Sequence, residues 1–101
     1  MGTRLDFQSL LEGLQDGVSV YFQPPPDIDM IYPAIVYNRN YESVSFADDI
    51  PYARKVRYQV TIIDKDPDSP LPDLVAGLPL TTYVRHYTTE SLNHDIYYTY
   101  F

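Results

Sequence analysis

The chain contains no cysteine and no tryptophan. The first absence excludes a disulfide framework, a thiolate metal site and a cysteine nucleophile. It also favours the cytosol, because small secreted domains commonly need disulfide staples. Only 7 residues are Lys or Arg, against 14 Asp or Glu, so the formal net charge is −7 and the pI lies near 4.4. A chain so short of cations is not built to grip nucleic acid, since phosphate contacts need clustered bases. No stretch approaches the ~20 apolar residues of a membrane span. The opening MGTRLDFQSLLEGL has no long apolar core, so no signal peptide is expected and no membrane partner is implied. No GxSxG, P-loop or GxGxxG occurs, and none of the serines sits in a motif that marks a nucleophile.

What the chain has in excess is tyrosine: 11, against 4 Phe. A tyrosine ring is apolar and its tip polar, so it suits half-buried positions and interfaces. The hydrophobic fraction of 45% excludes a disordered chain, and 101 residues make one domain with one modest core. A single α+β domain over residues 1–101 is therefore expected.

Residues 3–15 read as a helix. Thr3 is the N-cap, with Asp6 three places on as a capping box. Phe7, Leu10, Leu11 and Leu14 follow the i, i+3, i+4, i+7 spacing of one buried face. Strands follow at 18–23, 33–41 and 52–64. In the last of these Val56, Tyr58, Val60 and Ile62 alternate with Lys55, Arg57, Gln59 and Thr61. Ser69 and Pro70 start a short helix over 70–78, which Gly77 and Pro79 end. Strands at 80–89 and 93–101 suit a hairpin. The order is α-β-β-β-α-β-β: a mostly antiparallel sheet of four to five strands with two helices on one face. The core candidates are Leu10, Leu14, Val20, Val56, Tyr58, Val60, Ile62, Leu74 and Leu78.

Two segments read as assembly arms, 23–31 and 42–51, both long for links in so small a domain. Phe46, Ile50 and Tyr52 are apolar residues in or beside the second, otherwise acidic, loop. Arg54, Lys55 and Arg57 hold three of the seven basic residues and form a candidate docking patch for an acidic protein surface. The alternative is the wet face of a strand whose positive charge blunts an edge. In the terminal LNHDIYYTYF both faces are sticky. Ile96, Tyr98 and Tyr100 are assigned to the helices, and Tyr97, Thr99 and Phe101 to another subunit or a neighbouring protein; the alternative is a sheet with helices on both faces, which makes all of them internal. His86 and His94 flank the last hairpin, and with Asp95 they compose an imaginable metal site. Two polar strand residues are the simpler account. Asp64, Asp66 and Asp68 resemble the start of a calcium loop, but Pro67 breaks it and the closing Glu is missing.

The stretches IYPAIVYNRN and IPYARKVRYQVTIIDKDPDSPLPDLVAGLPLTTYVRHYTTESLNHDIYYTYF resemble the tail terminator, or tail completion, proteins of long-tailed bacteriophages. The features that match are the long KVRYQVTIIDK strand, the DPDSP turn into a short helix, and RHY followed by the LNHD strand. The similarity covers residues 31–101; the opening third matches in outline. It implies a structural virion protein and no enzyme. In the virion it would sit at the head–tail interface, and in the host cytoplasm during assembly. It would form a homo-oligomeric, usually hexameric, ring that caps the tail tube and joins it to the head completion or connector protein. Duplex DNA would pass through without specific binding, and no cofactor is implied. Two alternatives stand beside it: another phage neck or tube protein (head completion or tail tube subunit), and a small metal-dependent hydrolase using the histidines.

Overall fold

A five-stranded sheet in the order β1-β2-β3-β5-β4 organises the chain. The computed structural model describes residues 3–25, 28–47 and 50–101; of 41–47 and 50–55 it describes the backbone alone. The elements are α1 (Arg4–Glu12), β1 (Ser19–Phe22), β2 (Ala34–Ala47), β3 (Ile50–Asp64), α2 (Leu71–Ala76), β4 (Thr81–Thr89) and β5 (Leu92–Tyr100). Both the α+β class and the α-β-β-β-α-β-β order expected from the sequence are found. β1 pairs with β2 in parallel, and the other three pairings are antiparallel.

The first helix starts where its chemistry dictates. Thr3 Oγ1 accepts from the Asp6 N–H at 3.2 Å, and the Asp6 carboxylate accepts from the Thr3 N–H at 3.0 Å. These two bonds satisfy backbone donors that a helix start leaves orphaned. They also hold the Asp6 carboxyl below its ordinary pKa, the Thr3 backbone bond first and the hydroxyl second. A depressed carboxylate contributes stability that is present above its unfolded pKa and is lost as the pH falls from there through the lowered folded one. Thr3→Ala should cost about 1 kcal/mol, read as a lower urea midpoint with an unchanged slope; an unchanged midpoint would show that the cap is idle.

Both helices lie on one side of the sheet, which we term the helix face. There Phe7 and Leu11 of α1 and Leu71 and Val75 of α2 join Ile35, Tyr37, Tyr58, Val60, Ile62 and Tyr97 in one cluster. Cross-strand register explains the membership: Ile35 faces Ile62, Tyr37 faces Val60, and Val60 faces Tyr97. Phe7 is the hub. Its ring stacks on Tyr58 at 4.8 Å and meets Tyr37 edge-on at 5.3 Å and Phe101 at 5.0 Å.

Several core assignments need correcting. Leu10 and Leu74 are 38% and 39% exposed, whereas Phe7, Leu11, Leu71 and Val75 are fully buried. Leu14, Val20, Val56 and Leu78 are partly buried at the rim, and Tyr58, Val60 and Ile62 are core as expected. Both helices are short, α1 with 9 residues and α2 with 6. Helices of that length touch the sheet along a narrow i, i+4 stripe, and the i+3 neighbours fall to its edge.

The larger difference concerns the segment assigned to a loop. β2 does not stop at Tyr41, nor does β3 begin at Tyr52; they stay paired out to Ala47 and Ile50. Only Asp48 and Asp49 of that segment lie outside the described residues, as do Pro26 and Asp27 of the other expected arm. The polar composition that reads as loop belongs to a ribbon with no further strand beside it among the described residues.

Candidate assembly surface

β1 flanks β2 only from Ala34 to Tyr37. On the other side β5 flanks β3 from Arg57 to Asp64, with one further bond from the Phe101 N–H to the Val56 carbonyl at 3.1 Å. Residues 41–47 and 50–55 therefore form a two-stranded ribbon with no third strand among the described residues. At roughly 3.4 Å per residue it reaches about 20 Å past the sheet. It gives the molecule a long axis of 52 Å against 28 and 24 Å, and a radius of gyration of 14.7 Å. A chain of this length packed as a ball would have a radius of about 13 Å. A two-stranded hairpin is marginal in water by itself.

The expected interface residues divide accordingly. Phe46, Ile50, Tyr52, Arg54 and Lys55 have backbones in the ribbon, and their side chains lie outside what is described. Arg57 stands at the ribbon's base. Its Nε donates to Asn40 Oδ1 at 2.8 Å and its guanidinium sits 4.3 Å over the Tyr98 ring.

Tyr97 and Phe101 must be reassigned. Tyr97 is 4% exposed, belongs to the core cluster, and donates its hydroxyl to the Pro72 carbonyl at 3.2 Å. Phe101 packs against the same cluster. The terminal strand is thus turned over from the expected arrangement: Tyr97, Thr99 and Phe101 face the helices, and Tyr98 and Tyr100 face away. One set holds Tyr98 and Tyr100 and the other Tyr97 and Phe101, two aromatics each, so alternation alone could not rank them; β3 decides, because Val60 lies opposite Tyr97.

Burial raises the Tyr97 pKa to about 12, and the Asp95 carboxylate adds to the effect; burial also raises Tyr37. A group raised in the fold contributes stability that is intact below its unfolded pKa and is lost as pH climbs to the folded one. For Tyr97 that window runs from about 10 to about 12. Stability should fall steeply across it, and Tyr97→Phe should flatten the fall; equal slopes for both proteins would contradict the burial described.

Facing away from both helices is a second, open side of the sheet. It carries Val36, Asn38, Arg57, Gln59, Thr61, His94, Tyr98 and Tyr100, all half-buried. Near β1 it dips into a concavity of about 560 Å³ lined in part by Gln23, Val36, Asn38, Gln59 and Thr61. Beyond it, β4 is exposed along nearly its whole length. Tyr83, Val84 and Tyr87 are 54%, 37% and 39% exposed, and Leu80 just before the strand is 66% exposed. Leu80 also holds a left-handed φ of 56°, which costs a non-glycine residue about 1–2 kcal/mol.

An acidic concavity of about 390 Å³ lies at the far end of β3 from the ribbon, among Asp64, Asp66, Asp68, Asp73 and Asp95. His86 lines it, with Nδ1 2.8 Å from Asp95 Oδ1. His94 is not beside it: its ring stacks on Tyr87 on the open side, at 4.5 Å and 9°. The two histidines thus occupy opposite faces of the hairpin. Among the described residues no group of three His, Asp or Glu is placed to hold a metal ion, and no helix is long and apolar enough to cross a membrane. A scan against protein-family models finds no match to this chain, and a search of the curated proteins finds none either.

Proposed function

We propose that the protein is a structural component of a phage tail, a terminator whose copies form a ring on the end of the tail tube and join it to the head connector. One observation carries this reading: the ribbon at 41–47 and 50–55, which leaves the sheet and has no third strand among the described residues. Such an element is marginal until a neighbour covers it. The open, tyrosine-bearing side of the sheet supplies further surface of the half-polar kind that an assembling subunit uses, soluble before assembly and buried after it. The resemblance of residues 31–101 to tail terminators gives the assembly its identity.

The charge agrees with a conduit for DNA. At −7 per copy, and with carboxylates gathered around the acidic concavity, a lumen lined by this protein repels phosphate, so DNA slides through without binding. Arg54, Lys55 and Arg57 then face a protein. The same features would serve a head completion protein. A tail tube subunit differs by stacking into long tubes.

Light scattering and electron microscopy of the purified protein test the reading. Rings that seat on the ends of isolated tail tubes are expected. A persistent monomer that leaves tubes uncapped would sink it, and long tubes would favour the subunit alternative. Changing Arg54, Lys55 and Arg57 together to Glu should reduce capping at least tenfold. Tight binding of the unaltered protein to duplex DNA at physiological salt would contradict the conduit assignment.

A further inference from the structure

Among the described residues the sheet and its ribbon present four unpaired strand edges, and they are not equivalent. β1 is 4 residues long and runs into Gln23 and Pro24, so its outer edge is short and stopped by proline. The outer edge of β3 in the ribbon contains Pro51, which has no N–H to offer, and the cations Arg54 and Lys55. Those are the devices that keep an edge from pairing. Of the two remaining edges, that of β2 has neither, and that of β4 has one cation, Arg85, and no proline. Residues 40–47, NYESVSFA, contain neither proline nor a basic residue. β4, TTYVRHYTT, has no proline and no lysine. Both are interrupted by register shifts, and both keep a straight run: 41–45 between the shifts of β2, and 85–89 after the shift of β4.

We infer that the ribbon edge of β2 in one copy pairs with the β4 edge of a second copy of this chain, run 41–45 against run 85–89, continuing the sheet from subunit to subunit. Topology favours this pair. In the order β1-β2-β3-β5-β4, the free edge of β2 lies on one side of the sheet and that of β4 on the other. A left edge meets a right edge without turning a subunit over, which gives the heterologous contact that a ring requires. The free edge of β3 is on the same side as β4, so those two meet only through a two-fold flip. Strand direction agrees as well. β4 is antiparallel to β5, β5 to β3, and β3 to β2, so an incoming β4 in the same orientation is antiparallel to β2. Charge does not oppose the pairing: run 41–45 holds Glu42 and no base, while run 85–89 holds Arg85 and no acid. The exposed Leu80 and Tyr83 just before that run gain cover from the same neighbour.

The inference rests on the assembly reading above, and its test separates the two. The chain has no native cysteine, so single cysteines report cleanly. Ser43→Cys and Ser45→Cys in the ribbon would each be mixed with Thr88→Cys or Thr89→Cys in β4 and treated with a short bismaleimide. Mixed dimers are expected in the assembled fraction, with at least tenfold less linkage in either variant alone. The double variant Ser43→Cys/Thr88→Cys should give a ladder that ends at the closed ring. Links between two copies of Thr88→Cys, or a ladder that stops at the dimer, would show a two-fold contact and overturn the pairing. Rings that form without any mixed link would overturn the pairing and leave the assembly reading standing. Absence of oligomers at every concentration would overturn both.

Discussion

Phe7→Ala should remove a third or more of the stability of this domain. Phe7 is fully buried, and its ring touches Tyr37, Tyr58 and Phe101 at once. Those partners come from β2, β3 and the end of the chain after β5, so the single ring ties α1 to three parts of the sheet. Truncating a buried Phe costs about 3–5 kcal/mol, made up of lost transfer energy and the cavity left behind. Domains of this size hold only about 5–15 kcal/mol in total, and few residues could close the gap. α1 is 9 residues long and has little stability of its own. Its other anchors are Leu11 and a polar link, in which the Tyr37 hydroxyl donates to Gln8 and accepts from Arg4. Urea unfolding should show a midpoint lowered by a third or more. A loss below about 1 kcal/mol would place Phe7 at a surface site, and the hub role would fail. Leu10→Ala, on the same helix but 38% exposed, is the internal control and should cost far less.

That contrast also marks how far the sequence could be read. The cap at Thr3 and Asp6 and the dry set Tyr58, Val60 and Ile62 were legible because each rests on local chemistry or on a strict alternation. The phase of α1 was not, because Leu10 and Leu11 are equally apolar and only the sheet decides which is covered. The terminal strand was turned over for a related reason: Tyr97, Tyr98 and Tyr100 carry the same side chain and meet different surroundings. Tyrosine satisfies either face, and a pattern made of it has no sign. The segment 42–51 failed differently. A strand inside a sheet must show apolar residues on at least one face. A ribbon outside the sheet has no such obligation within its own chain, so it looks like a loop until its pairing is seen.

Shortening that ribbon should abolish assembly and leave the fold in place. Residues 43–55 would be removed and Glu42 joined to Val56 through Asn-Gly. Those two residues are already paired across the hairpin, and Asn-Gly closes a two-residue turn with the twist that antiparallel strands need. All named members of the core cluster lie outside the deleted stretch. The pairings of β3 with β5 and of β1 with β2 are also outside it. The shortened chain should keep its far-ultraviolet spectrum and unfold within about 1 kcal/mol of the parent, the scatter expected of changes away from the core. Ring formation and the capping of tail tubes should fall below detection, a larger effect than any single side chain in the ribbon would give. The spectrum and the assembly assay have to be read together. A folded variant that still closes rings would mean that the ribbon is an ornament and that the open side of the sheet drives association. A variant that unfolds would mean that the ribbon stabilises its own subunit, and the case for a neighbour completing it would collapse.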